Sequence, residues 1–249
     1  MIQTPGSLQT INDRIQQRRA SLLAMRASVR ERRRAGEGGI ACCEWLSSQM
    51  DEFIREIVTR QQELQPQVPP ASFAVLAVGG NGRCRPAPFS DMDLLFLMDA
   101  KHQATAQGFL SAVVRDCWDA GAQPGSSIRT LSDVVRFAIE DIQFATSLIE
   151  TRFLCGDERM AETALRQVRA KVFSDRAEPM IQRLVASRRE EWMTRGNSVN
   201  QLEPDLKRSP GGLRDLHLLR WVSFMRYSNP DPAQLQQKGD ISREELEDL

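Results

Sequence analysis

The chain has 249 residues, room for one large domain or two modest ones, and its 41% hydrophobic share is enough for a buried core. Lys plus Arg total 33 and Asp plus Glu total 33, so the formal net charge is zero. That balance argues against a nucleic-acid polymerase or a tRNA-modifying enzyme, which need a broad basic surface to neutralise phosphates. No apolar run approaches the roughly 20 residues of a membrane helix. The N-terminal MIQTPGSLQTINDR lacks the apolar segment of a secretory signal. A soluble cytoplasmic protein is expected. Cys42, Cys43, Cys84, Cys117 and Cys155 are odd in number and match no zinc spacing, so reduced thiols are expected, with Cys42 and Cys43 as small core-facing residues.

Residues 7–34 read as a helix in which Leu8, Ile11, Ile15, Leu22, Leu23 and Met25 recur among Arg and Gln. ERRRAGEGG breaks it, with cations gathered where they favour a helix C-terminus. A second helix is predicted from about Ile40 to Leu64, and QPQVPP stops it. Phe73 to Val78 is a predicted strand, Gly79 to Ser90 a loop, and Asp91 to Met98 a second strand. A helix over about Gln103 to Asp119, a GAQPG turn and a third strand at Ser127 to Thr130 follow. Beyond Leu131 the pattern is helical. Ser132 or Asp133 can cap a helix over Val134 to Ile139. Further helices are expected at Ile142 to Phe153, Glu158 to Val172, Glu178 to Arg195 and Leu213 to Tyr227. Ser242 and Glu245 form a capping-box pattern in the tail, and the chain stops within the helix they open.

Residues 79–93, GGNGRCRPAPFSDMD, carry the chemistry. Side chains alternate along a strand, so Asp91 and Asp93 share one side and Met92 takes the other. Two carboxylates beside a glycine-rich turn can hold a divalent metal against a nucleoside triphosphate. Gly79, Gly80 and Gly82 let a backbone approach phosphates closely, Arg83 can pair with one, and Ser90 can bind phosphate or cap the Asp strand. The competing reading is a glycine-rich hairpin with two solvated aspartates. It fits poorly with carboxylates set flush against LLFLM.

The same residues resemble the protein-PII uridylyltransferase/uridylyl-removing enzymes of bacterial nitrogen regulation. That family's segment reads, in outline, GGxGRGEL-x-P-x-SDIDLL, against GGNGRCRPAPFSDMDLL here. Trp118-Asp119 before GSSIRT match the family's WD…GHSVRT. ATSLIETRFLCGD matches ATxLIExRxLxGD, and LEPDLKRSPGGLRDLHLLRW matches LEPxIKxxPGGLRDxHTLxW. The resemblance covers roughly residues 40–230. It implies an α+β fold with a polymerase-β-like nucleotidyltransferase core, a small mixed sheet with helices, flanked by mainly helical regions. It also implies Mg2+, UTP as donor and a tyrosine of the PII signal protein as acceptor. Gly79, Gly80 and Arg83 would contact the triphosphate, Ser90 would support it, and Asp91 and Asp93 would bind metal. The expected segments are 1–69 helical, 70–131 catalytic core and 132–249 helical with the PGGLRD motif.

The departures bear on activity. Cys84 stands where the family has Gly, Arg85 where it has an acid, and Ser126 where it has His. The fold usually carries a third carboxylate on a later strand as base or metal ligand, and residues 126–130 hold none. Asp119 is the nearest acid, and Gln123 stands where some relatives have Glu. Either Asp119 completes the catalytic set, or activity is weakened. In the PGGLRD block, Lys207, Arg208 and Arg214 can reach a nucleotide, or the block is a structural clamp. His217 reads as structural and His102 as a surface residue. Family members continue into an HD phosphohydrolase domain and two ACT domains. This chain has two histidines and no HD pair, so uridylyl removal and glutamine sensing are not assigned to it. Uridylyl transfer to PII is the expected function. Adenylyl or other nucleotidyl transfer to a different acceptor is the second reading, and a catalytically weakened nucleotide-binding regulatory module the third.

Overall fold

The computed structural model describes residues 5–194 and 205–247, with side chains from residue 12 onward. Leu8, Ile11 and the LEP of the second motif therefore lie outside the residues whose side chains are described. Helix α1 (Pro5–Arg34) and helix α2 (Gly39–Leu64) come first. Strand β1 (Phe73–Ala77), a helical turn α3 (Gly79–Gly82), strand β2 (Met92–Met98), helix α4 (Gln103–Asp119) and strand β3 (Pro124–Thr130) follow. Then come α5 (Leu131–Glu140), α6 (Ile142–Ser147), β4 (Arg152–Gly156), α7 (Glu158–Val168), α8 (Ala177–Thr194), α9 (Leu213–Tyr227), α10 (Ala233–Gln237) and α11 (Arg243–Glu247).

The architecture is α+β, helices around one small mixed sheet, as expected of a nucleotidyltransferase-like core. The strand order is β3-β2-β1-β4. β1 pairs antiparallel with β2, from Phe73 opposite Met98 to Ala77 opposite Leu94. β2 pairs parallel with β3, with Asp93 opposite Gly125. A parallel neighbour needs a crossover, and α4 supplies it. FAVLA is buried at every position because β1 lies inside the sheet, which is why it reads as an unbroken apolar run.

Contacts divide the chain into two compact units: Met1–Val134 with Glu150–Ala164, and Val135–Ile149 with Leu165–Leu249. In the first, Phe73, Val75 and Ala77 of β1 and Met92, Leu94, Phe96 and Met98 of β2 share a core with Leu46, Met50, Ile54 and Ile57 of α2 and Phe109 and Val113 of α4. Each of these side chains larger than alanine contributes about 1.5–3 kcal/mol of burial. Leu22 and Val29 of α1 belong to the same core. In the second unit, Met180, Ile181 and Leu184 of α8 and Trp221, Phe224 and Met225 of α9 are buried. Phe173 meets Phe224 edge-on at 5.4 Å.

Several local expectations change. Gly79 to Gly82 form a helical turn, not an open loop. The expected helix Ile142 to Phe153 ends at Ser147, where the Thr146 and Ser147 hydroxyls donate back to the carbonyls of Gln143 and Phe144. Arg152–Gly156 instead forms an edge strand on β1, with a bulge between Val75 and Leu76. Thr130 opens α5, since its hydroxyl accepts from the Asp133 N–H at 3.3 Å and donates to the Asp133 carboxylate at 2.8 Å. The helix from Glu158 turns π-helical over Arg169–Ser174. The tail capping box forms as read: the Ser242 N–H donates to Glu245 Oε2 and the Glu245 N–H to Ser242 Oγ.

Candidate active site

The glycine turn and the Asp strand are built against each other. The Val78 N–H donates to the Asp93 carbonyl at 3.0 Å. The Asp93 N–H donates to Asn81 Oδ1 at 3.1 Å. The main chain of Asp93 is therefore gripped on both sides by the turn. Its carboxylate lies between two glycines: a β-carbon on Gly79 would come within 3.1 Å of Oδ2, and one on Gly125 within 3.0 Å of Oδ1. Gly79 also has φ of +56°, a left-handed conformation that side chains resist. Asp91 is exposed immediately before β2, Asp93 is half-buried, and Met92 between them is buried in the core.

Gly82 serves packing. A β-carbon there would lie 1.7 Å from the Glu150 carbonyl oxygen. Arg83 turns toward the same residue, and its guanidinium pairs with Glu150 at 2.9 Å, the two side chains 15% and 9% exposed. Cys84 holds φ of 58°, a left-handed position that costs a non-glycine residue roughly 1–2 kcal/mol. Arg85 pairs with Glu44 at 2.9 Å on the surface. The Ser90 hydroxyl donates to the Ala87 carbonyl at 2.9 Å and closes the turn that leads into β2.

The register sets Gly125, Ser127 and Arg129 of β3 opposite Asp93, Leu95 and Leu97, so no carboxylate stands beside Asp93 on that strand. Asp119 ends α4, half-buried, and its backbone carbonyl accepts from Arg19 Nε at 2.7 Å. Among the described residues no three His, Cys, Asp or Glu side chains cluster as a metal-holding group. Asp91 and the seated Asp93 still suit Mg2+, which takes one or two carboxylates and fills its shell with water and substrate phosphates.

Four residues that the motifs left without a role support this turn. Arg152 bonds the Asn81 and Gly82 carbonyls and both carboxylate oxygens of Asp51. Ser47 accepts a further bond from it. Asn81, Gly125 and Arg152 sit inside quoted sequence blocks and Asp51 lies outside all of them; only contacts between distant segments reveal what they do.

In the second unit, the PGGLRD block folds around Arg188. This side chain is 6% exposed and donates to Asp215 at 2.6 Å, to Glu191 at 2.7 Å and to the carbonyls of Arg208 and Ser209. Asp215 also accepts from the Gly211 N–H at 2.7 Å. Gly212 is required because a β-carbon would fall 2.8 Å from the Leu206 carbonyl oxygen. Arg214 sits over the Trp221 ring at 5.9 Å, and Lys207 is exposed.

The five cysteines are free thiols. Burial pushes the Cys117 thiol up to about 12 and the Cys155 thiol up to about 11. Neither is a nucleophile at neutral pH. No helix among the described residues is long and apolar enough to cross a membrane.

Over 229 residues the chain is 32% identical to a bifunctional uridylyltransferase/uridylyl-removing enzyme of Bradyrhizobium sp. (strain BTAi1 / ATCC BAA-1182), an alignment covering 90% of this chain and 25% of that protein. The enzyme of the same name from Caulobacter vibrioides (strain NA1000 / CB15N) is 34% identical over 207 residues, 82% of this chain and 22% of that protein. Residues 180–249 match the family model described as GlnD PII-uridylyltransferase. The chain is similar to the uridylyltransferase/uridylyl-removing enzymes. It spans about a quarter of the length of the relatives it matches. The segment matched by the family model contains Arg188, Lys207, Arg214 and Asp215, so the clamp around Arg188 lies inside it.

Proposed function

We propose that the chain transfers a uridylyl group from UTP to a tyrosine hydroxyl of the PII signal protein, in cytoplasmic nitrogen regulation, with Mg2+ bound by Asp91 and Asp93. The observation that carries this reading is the Asp93 carboxylate seated between Gly79 and Gly125, two residues after Asp91, in a chain whose relatives are named uridylyltransferases. Bound Mg2+ would neutralise the triphosphate and lower the pKa of the attacking hydroxyl. The hydroxyl oxygen bonds to the α-phosphorus, the bond to the bridging oxygen breaks, and pyrophosphate leaves. Asp119 is the proposed acceptor of the hydroxyl proton. Gly79, Gly80 and Gly82 shape the turn that faces the phosphates, and Ser90 holds the entry to β2. Arg83 reaches phosphate only by leaving Glu150. Lys207 and Arg214 are proposed nucleotide contacts presented by the Arg188 clamp.

One observation favours a second reading, a nucleotide-binding module with little transferase activity: β3 offers Gly125, Ser127 and Arg129 where a third acid would stand. Incubation with labelled UTP, Mg2+ and PII separates the two. Labelled PII that disappears with Asp91→Ala, in a variant that melts like wild type, supports the transferase. Mg2+-dependent UTP binding without label on PII supports the module. Running all four nucleoside triphosphates in parallel tests the choice of UTP over adenylyl transfer to another acceptor.

A further inference from the structure

We propose that Arg152, braced by Asp51, is the positioning residue of the candidate site: through the turn at Asn81 it holds the main chain of Asp93 where the carboxylate can meet a metal. The proposal deepens the reading of Asp93 as a metal ligand and rests on it.

A continuous line of hydrogen bonds carries the inference. Asp51 is 7% exposed on α2, among Met50, Phe53 and Ile54 of the core. A carboxylate taken out of water needs a close partner. Arg152 provides one in two-pronged form, with Nη1 at 2.6 Å from Oδ2 and Nη2 at 3.1 Å from Oδ1. The guanidinium so fixed then donates to the Asn81 carbonyl at 2.9 Å and to the Gly82 carbonyl at 3.2 Å. Asn81, 4% exposed, turns its own Oδ1 to the Asp93 N–H at 3.1 Å. The anchor is thus a half-buried ion pair on α2 and β4, and its far end is the peptide of the candidate metal ligand. Glycines in the turn make such bracing necessary, because Gly79, Gly80 and Gly82 supply no side chains to pack it.

Only arginine fits the anchor. Its planar fork reaches the carboxylate and the two carbonyls at once, whereas the single ammonium of lysine pairs with one of them. Arg152→Lys therefore keeps the charge beside Asp51 and gives up the grip on the turn. Asn81→Ala keeps the ion pair and removes the acceptor of the Asp93 N–H. The two variants break the same line at different links, so the double variant should lose little more than either alone.

The test uses the 249-residue chain in two measurements. Hydrogen exchange at the Asp93 amide, read by NMR without nucleotide, should quicken on the order of tenfold in both variants, while amides elsewhere in β1 and β2 and the melting temperature stay near wild type. In UMP transfer, kcat should fall on the order of 10–100-fold while KM for UTP stays within about threefold. Wild-type protection of the Asp93 amide in both variants would overturn the proposal, as would a uniform rise across the sheet, which would mark Arg152 as a general fold contact. So would an unchanged kcat in a variant whose Asp93 amide is released. If the wild-type chain transfers nothing, the activity reading fails, and exchange alone decides whether Arg152 holds Asp93.

Discussion

Gly125→Ala should reduce catalysis while sparing the fold. The new β-carbon would stand 3.0 Å from Asp93 Oδ1 and 3.8 Å from the Met92 carbonyl oxygen. The second distance is ordinary contact. The first is short by about 0.4 Å of comfortable packing. Gly125 is not in the left-handed region, so alanine there brings no backbone strain. The carboxylate is the softer partner and gives way, turning off its seat by a few tenths of an ångström. A misplacement of 1 Å costs about 100-fold in rate, so 0.4 Å corresponds to roughly sixfold in kcat. The stability cost should stay under about 1 kcal/mol, because the clash is relieved by one side-chain torsion. Initial rates of UMP transfer against UTP and Mg2+, paired with urea unfolding, measure both quantities. A kcat within twofold of wild type would refute the seat, and a stability loss above about 2 kcal/mol would place the effect in the fold. Gly79→Ala makes a useful companion: it meets Oδ2 at 3.1 Å and also carries φ of +56°. It should lose activity and, in addition, roughly 1–2 kcal/mol of stability.

Gly82→Ala should be far more damaging to the fold. A β-carbon 1.7 Å from the Glu150 carbonyl oxygen forces the main chain apart and should cost upward of about 3 kcal/mol in urea unfolding; a loss below about 1 kcal/mol would contradict the packing. Arg188→Ala strands Asp215 and uncaps the Arg208 and Ser209 carbonyls, and should cost about 3–5 kcal/mol, with early protease cleavage around residues 205–215; a protease-resistant variant would disprove the clamp. Cys117 yields a pH prediction. Its thiol rises from 9.0 in the open chain to about 12 when folded, so its stabilising effect is complete below pH 9 and is lost as pH climbs toward 12. Across that window wild type should lose up to about 1.4 kcal/mol per pH unit relative to Cys117→Ala, and parallel stability curves for the two proteins would exclude the effect.

Much of the first unit was legible from pattern alone. β1, β2 and α4 lie within a residue of the expected bounds, because a buried apolar run, a Gly or Pro boundary and a 3.6-residue period are all local signals. β4 was not legible. RFLCG follows a helical stretch without a break, and what makes it a strand is pairing with β1 about 80 residues earlier in the chain. The same limit explains the turn. GGNG reads as a loop, but the Gly82 and Arg83 N–H groups bond back to Val78 and Gly79, and the turn is held by Arg152 from β4.

Residue types and their spacing determined which groups can do chemistry here. Asp91 and Asp93 beside three glycines raise the expectation of metal and phosphate, and the PGGLRD block carries the resemblance to the uridylyltransferases. Tertiary structure decided what each of those residues is occupied with. Arg83, read as a phosphate contact, is paired with Glu150. Gly82, read as phosphate cradle, is small because a carbonyl oxygen needs its space. Asp93 owes its seat to Gly79, Asn81 and Gly125. The reason is physical: a motif specifies donors, acceptors and bare backbone, whereas their partners come from segments far along the chain, and only packing brings those within hydrogen-bond distance.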